Sequence, residues 1–91
     1  MPYIDKQQRE DLDRSIESLI AACGILDAGK LNYCISRLCL GVIDKVAYSK
    51  IALITGVLEN VKQEFYRRLA TAYEDKKIEE NGDLPEYLKH E

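Results

Sequence analysis

Apolar residues recur along this chain at intervals of three and four, the spacing of amphipathic helices. Ile16, Leu19, Ile20 and Cys23, continued by Leu26 or Asp27, share one such face. Leu31, Cys34, Ile35, Leu38, Cys39, Val42 and Ile43 make a second stripe, wider than a single core-facing surface needs. A third comprises Ile51, Ile54, Leu58, Val61, Phe65, Leu69, Ala72 and Lys76 and holds register for about seven turns.

Punctuation between the stripes sets the expected boundaries. Asp5 with Gln8 has the pattern of a capping box, which predicts a short first helix through about Asp11. Asp13 then caps a second helix that Gly29 ends in a left-handed conformation. The third runs from about Lys30 to Asp44, and Ser49 caps the last, which Asn81 and Gly82 stop. The expected fold is all-α: a short N-terminal helix, two medium amphipathic helices and one long C-terminal helix. All lie in one domain over residues 1–91, with 84–91 a flexible or short helical tail.

The long helix predicts more than its own boundaries. Thirty-odd residues span roughly 45 to 50 Å, whereas about 90 residues in a compact domain give a radius of gyration near 12 Å. Part of it projects or is packed by another chain. Its first half, "IALITGVL" at 51–58, carries no charge, and Leu53 and Val57 fall on the side away from Ile51, Leu58 and Leu69. A helix apolar all round is buried all round. Each such side chain left in water forgoes about 1.5 to 3 kcal/mol, a large share of a small domain's stability. Gly56 costs about 1 kcal/mol in a helix interior, which a close approach by another backbone would explain. The expectation is a helical-bundle homo-oligomer of closed symmetry. The alternative is that helices two and three wrap this segment within one chain.

Composition narrows the function classes. With 91 residues, 46% hydrophobic and 32% charged, the chain is too apolar for disorder and too charged for a membrane span. A compact domain of this size buries roughly 65% of its unfolded surface. The net charge of -3 argues against duplex nucleic acid as a partner. No window reaches the length of a transmembrane helix and "MPYIDKQQRED" lacks a signal-peptide core, so the expected location is the cytoplasm.

Catalytic and metal chemistry find little to build on. Cys23, Cys34 and Cys39 are odd in number and lie among apolar residues, the pattern of reduced core thiols. His90 has no Cys or His at a ligand-like interval. There is no glycine-rich phosphate loop, no carboxylate repeat to hold magnesium and no histidine base beside a nucleophile. The expectation is a protein without catalysis, metal or cofactor.

Candidate binding chemistry lies in "EFYRRLATAYEDKKIEENGD", residues 64–83. Tyr66 and Tyr73 are seven residues apart with Lys62 one turn before Tyr66, while Arg67 and Arg68 point about 100° and 200° away on a straight helix. In a symmetric assembly a neighbouring helix brings an arginine over a tyrosine. Tyr33, Arg37, Lys62, Tyr66, Arg67 and Tyr73 are therefore candidate ligand contacts, rings stacking on a base and cations binding phosphate. The plainer alternative has the tyrosines rimming a core and the arginines pairing with Glu64, Glu74 or partner carboxylates.

The opening "PYI", "LNY" at 31–33, "GVLENVKQEFYRR" at 56–68 and "YEDKKIEENGD" at 73–83 resemble a family of small helical proteins of phages, prophages and bacterial metagenomes. That family has no established activity and supplies no residue roles. The likeness runs from Pro2 to Asp83, leaving "LPEYLKHE" outside it. A phage setting implies a homo-oligomer that binds and hides a nucleotide immune signal, a cyclic oligonucleotide or ADP-ribose-type molecule, in pockets between chains. A second reading is an interaction module that docks on a host or phage protein through the "IALITGVL" face.

Overall fold

The computed structural model describes residues 2–90, and every regular element among them is helical. These are α1 (Lys6–Cys23), α2 (Ala28–Val42), α3 (Tyr48–Phe65), a π-helical turn (Tyr66–Ala70), α4 (Thr71–Asn81) and α5 (Pro85–Lys89). They fall into two compact units, Met1–Asp44 and Lys45–Glu91.

The first unit holds α1 and α2. Asp5 and Gln8 make the expected capping box: Gln8 N–H donates to Asp5 Oδ1 at 2.8 Å and Asp5 N–H to Gln8 Oε1 at 3.0 Å. The helix does not break near Asp11, and the separate short first helix and the Asp13 cap are both corrected to one 18-residue helix. Neither Gly nor Pro interrupts the segment, and Gln7 Nε2 donates to Asp11 Oδ1 one turn on at 3.0 Å, so the aspartate stays inside.

The stop also moves. Gly24, at φ 69°, ends α1 with its N–H on the Ile20 carbonyl at 3.1 Å. Asp27 caps α2 by accepting from Lys30 N–H at 3.0 Å. Gly29, expected to end a helix, instead lies in the first turn of α2. A Cβ there would come within 3.2 Å of Asp27 Oδ1, so the glycine leaves room for the capping carboxylate.

The second unit is dominated by one rod. Phe65, Tyr66, Ala70 and Thr71 all keep right-handed helical dihedrals, so α3, the π turn and α4 run without a break. Ala47, not Ser49, is the N-cap, and no side chain caps there. Gly82 stops the rod as expected, at φ 82° with its N–H on the Ile78 carbonyl at 2.7 Å. In the tail, Pro85 opens the single turn of α5, where its fixed φ suits a first helical position.

The π turn corrects the long stripe. It places one extra residue in the helix, which rotates everything beyond it by about 100°. Ala72 and Lys76 leave the line of Ile51, Ile54, Leu58, Val61 and Phe65, and Tyr73 and Lys77 rotate onto it. Ala70, inside the turn, is half-buried.

Burial is the unusual property of this chain. No described residue is buried, apolar or polar. Accessible surface totals 8659 Å², against roughly 5400 Å² for a compact folded chain of this mass. The three cysteines are half-buried rather than core, because the described residues form no core for them to enter. In the "IALITGVL" segment Ile54 is half-buried, while Leu53 and Val57 remain 68% and 53% exposed. Around Gly56 an added Cβ would meet nothing within 4 Å.

Candidate functional site

The six expected ligand contacts separate between the units: Tyr33 and Arg37 stand on α2, and Lys62, Tyr66, Arg67 and Tyr73 lie along the rod. On α2 the pair is brought together. Arg37 Nη1 donates to Tyr33 Oη at 2.8 Å, and the guanidinium carbon lies 5.6 Å from the ring centre. That distance is within the range of a cation–π contact.

Tyr33 borders two shallow recesses, and Arg37 one of them. One, of about 370 Å³, is lined by Leu19, Tyr33, Cys34, Arg37 and Leu38. The other, of about 330 Å³, shares Leu19, Tyr33 and Cys34 and adds Lys30. Tyr33 thus stands between two cations over a floor supplied by Leu19 of α1. Lys30 was absent from the sequence expectation, although Lys30, Tyr33 and Arg37 follow the three-and-four interval of one helix face. That spacing was the signal that could have found it.

On the rod the aromatic and cationic groups mostly meet partners of their own chain. Lys77 Nζ lies 5.6 Å from the Tyr73 ring centre and 3.3 Å from Glu80 Oε2. The Tyr66 hydroxyl reaches Glu74 Oε1 at 3.5 Å, the long limit of a hydrogen bond. Lys62 pairs with Glu59 at 3.9 Å and Arg68 with Glu64 at 3.9 Å. These exposed pairs are worth little each, about 0 to 1 kcal/mol. Arg67 sits in the π turn. The cation over Tyr73 is thus a lysine of the same chain, where sequence pointed to an arginine from a neighbour.

A further cleft of about 770 Å³ lies where α5 follows the end of α4, lined by Glu74, Lys77, Asp83, Tyr87 and His90 among others. Among the described residues no three His, Cys, Asp or Glu side chains are grouped to hold a metal ion. Among them, too, no helix is long and apolar enough to cross a membrane.

Beneath the Tyr33 face, Cys23 Sγ of α1 and Cys34 Sγ of α2 are hydrogen-bonded at 3.6 Å. That bond, followed by partial desolvation and the charge of a neighbouring thiolate, pushes the Cys34 thiol above its ordinary value.

A family model described as Domain of unknown function (DUF6899) matches residues 1–84. The matched span takes in the segments that carry the sequence resemblance and stops before α5. No curated protein and no solved structure matches the chain.

Proposed function

This chain belongs to the DUF6899 family, whose description carries no activity, and we propose that it is a self-associating helical subunit that captures a planar, phosphate-bearing ligand without chemistry. In this reading copies of the chain cover each other's apolar faces, and Tyr33, Arg37 and Lys30 form the capture face on α2. The ligand class is a nucleotide signal, a cyclic oligonucleotide or ADP-ribose-type molecule, in keeping with a phage-type protein that hides such signals in its host's cytoplasm. Lys62, Tyr66, Arg67 and Tyr73 complete the site from a neighbouring rod.

The observation that carries the reading is the Arg37–Tyr33 pair over an apolar recess, flanked by Lys30. A ring with a cation on either side and an apolar floor supports stacking of a base with phosphate at the cations. The absence of any buried residue among those described supports the assembly half of the reading. An excess of about 3000 Å² over a compact chain is of the order that an obligate interface buries per complex.

Calorimetry with cyclic dinucleotides, cyclic trinucleotides and cyclic ADP-ribose isomers tests it. Heat with at least one of them, lost in Arg37→Ala and weakened in Arg67→Ala, is expected. No heat across the panel overturns the ligand half. A second reading is favoured by Leu53 and Val57, exposed on an uncharged helix: docking on another protein through that face. Leu53→Glu separates the two, since a variant that only becomes monomeric speaks for self-association.

A further inference from the structure

Cys23 ends α1 and Cys34 lies in the second turn of α2, their sulfurs facing each other at 3.6 Å. A disulfide needs about 2.05 Å, so the sulfurs must close by roughly 1.5 Å. The connection that has to yield is well suited to it. Gly24 sits at φ 69°, and Ile25 and Leu26 are 93% and 84% exposed, so nothing packed resists a small shift of the corner. The two cysteines are only 11 positions apart in sequence, which keeps the effective concentration of one thiol for the other high.

Access and selectivity are also present. Both thiols are half-buried and line the shallow recess of about 330 Å³ beside Tyr33, open to a small thiol reagent. Cys39 is five residues beyond Cys34 on α2, about 140° around the helix, and does not line that recess.

We propose that Cys23 and Cys34 are a redox modification site, forming an intramolecular disulfide with a low-molecular-weight disulfide such as oxidised glutathione as the oxidant. The Cys23 thiolate attacks one sulfur of the oxidant, giving a mixed disulfide on Cys23 and releasing one reduced thiolate. Cys34 then loses its proton to solvent and attacks the Cys23 sulfur, and the second glutathione leaves as thiolate. Two protein thiols are oxidised to one disulfide while one oxidised glutathione becomes two reduced. Cys34, whose thiol holds its proton longer through its bond to Cys23, is the resolving partner. The product fastens α1 to α2 directly under the Tyr33 face.

The test uses the full chain in reduced–oxidised glutathione buffers, quenched with an alkylating agent and read by intact mass and peptide mapping. Cleavage after Arg14, Lys30, Arg37 and Lys45 puts Cys23, Cys34 and Cys39 on three different peptides, so the linkage is unambiguous. The expected product has lost the mass of two hydrogens, carries a Cys23–Cys34 crosslink, keeps Cys39 alkylated and reverts with dithiothreitol. Cys34→Ser should trap a stable glutathione adduct on Cys23, and Cys39→Ser should crosslink like the natural chain. A natural chain that accumulates glutathione adducts without the crosslink, links through Cys39, or stays fully reduced at the oxidising end overturns the proposal.

Discussion

Arg37 holds Tyr33 in two ways at once, through a 2.8 Å hydrogen bond to the hydroxyl and a guanidinium 5.6 Å from the ring centre. In the proposed capture of a nucleotide only the ring face is needed for stacking, so the two interactions separate by mutation. Tyr33→Phe should leave nucleotide affinity within about threefold, whereas Tyr33→Ala should weaken it by the ~1 to 3 kcal/mol of a lost stack, about 5- to 100-fold. Titration calorimetry on both variants checks this, and equal losses would place the recognition on the hydroxyl.

Asp27 and Gly29 are coupled through the 3.2 Å that a Cβ on residue 29 would leave to the capping oxygen. Asp27→Ala should cost about 1 kcal/mol by removing the cap. Gly29→Ala should bring no gain in the natural chain, because the favourable helix propensity of about 1 kcal/mol is offset by crowding of that carboxylate. In the Asp27→Ala background the same change should stabilise. Urea unfolding of the four proteins reads the coupling; additive effects would mean the carboxylate moves aside freely.

The π turn decides which residues share a line on the rod, and one residue is all it adds. Inserting one alanine between Ala70 and Thr71 should turn Tyr73 and Lys77 by about 100° relative to Ile51–Phe65. Helix content by circular dichroism should stay within error while the solution mass falls. An unchanged mass would show that α4 takes no part in assembly.

Much of this fold is written locally. The Asp5–Gln8 box and the Gly82 stop were legible because each is a short-range hydrogen-bond pattern with its own residue signature. Asp13 and Gly29 misled because an aspartate or glycine beside an apolar stripe looks the same inside a turn as at its end. What distinguishes them here lies in neighbouring residues: α1 runs unbroken past Asp11, to which Gln7 donates, and the Asp27 carboxylate that caps α2 stands against Gly29. The π turn has no residue signature in "YRRLA", since a one-residue insertion leaves the spacing on either side intact. At the candidate site, Tyr33 with Arg37 was readable from spacing, and Lys30 on the same face could have been. The half-buried Cys23–Cys34 pair was not, because it depends on where the α1–α2 corner folds.

Cys34 gives the hairpin a pH dependence with a definite sign. Its thiol is raised from the ordinary 9.0, chiefly by the hydrogen bond to Cys23, so the folded chain holds that proton more tightly than the unfolded one. The stabilisation is complete below the ordinary value and is lost as pH rises through the raised one. Amide exchange at the end of α1 and the start of α2, corrected for intrinsic rate, should quicken as pH rises above the ordinary thiol value of 9.0. Cys34→Ser should flatten that rise; an equal rise in the variant would assign it elsewhere.

Every described residue is left unburied while Leu53, Val57, Leu58 and Leu69 face solvent, and the proposed function has another copy of the chain cover them. Light scattering across a range of protein concentrations measures this directly. A mass at a fixed multiple of 10.4 kDa, with helicity lost on dilution or in Leu53→Glu, is the predicted result. A well-folded, cooperatively melting single chain of 10.4 kDa at high concentration would contradict it.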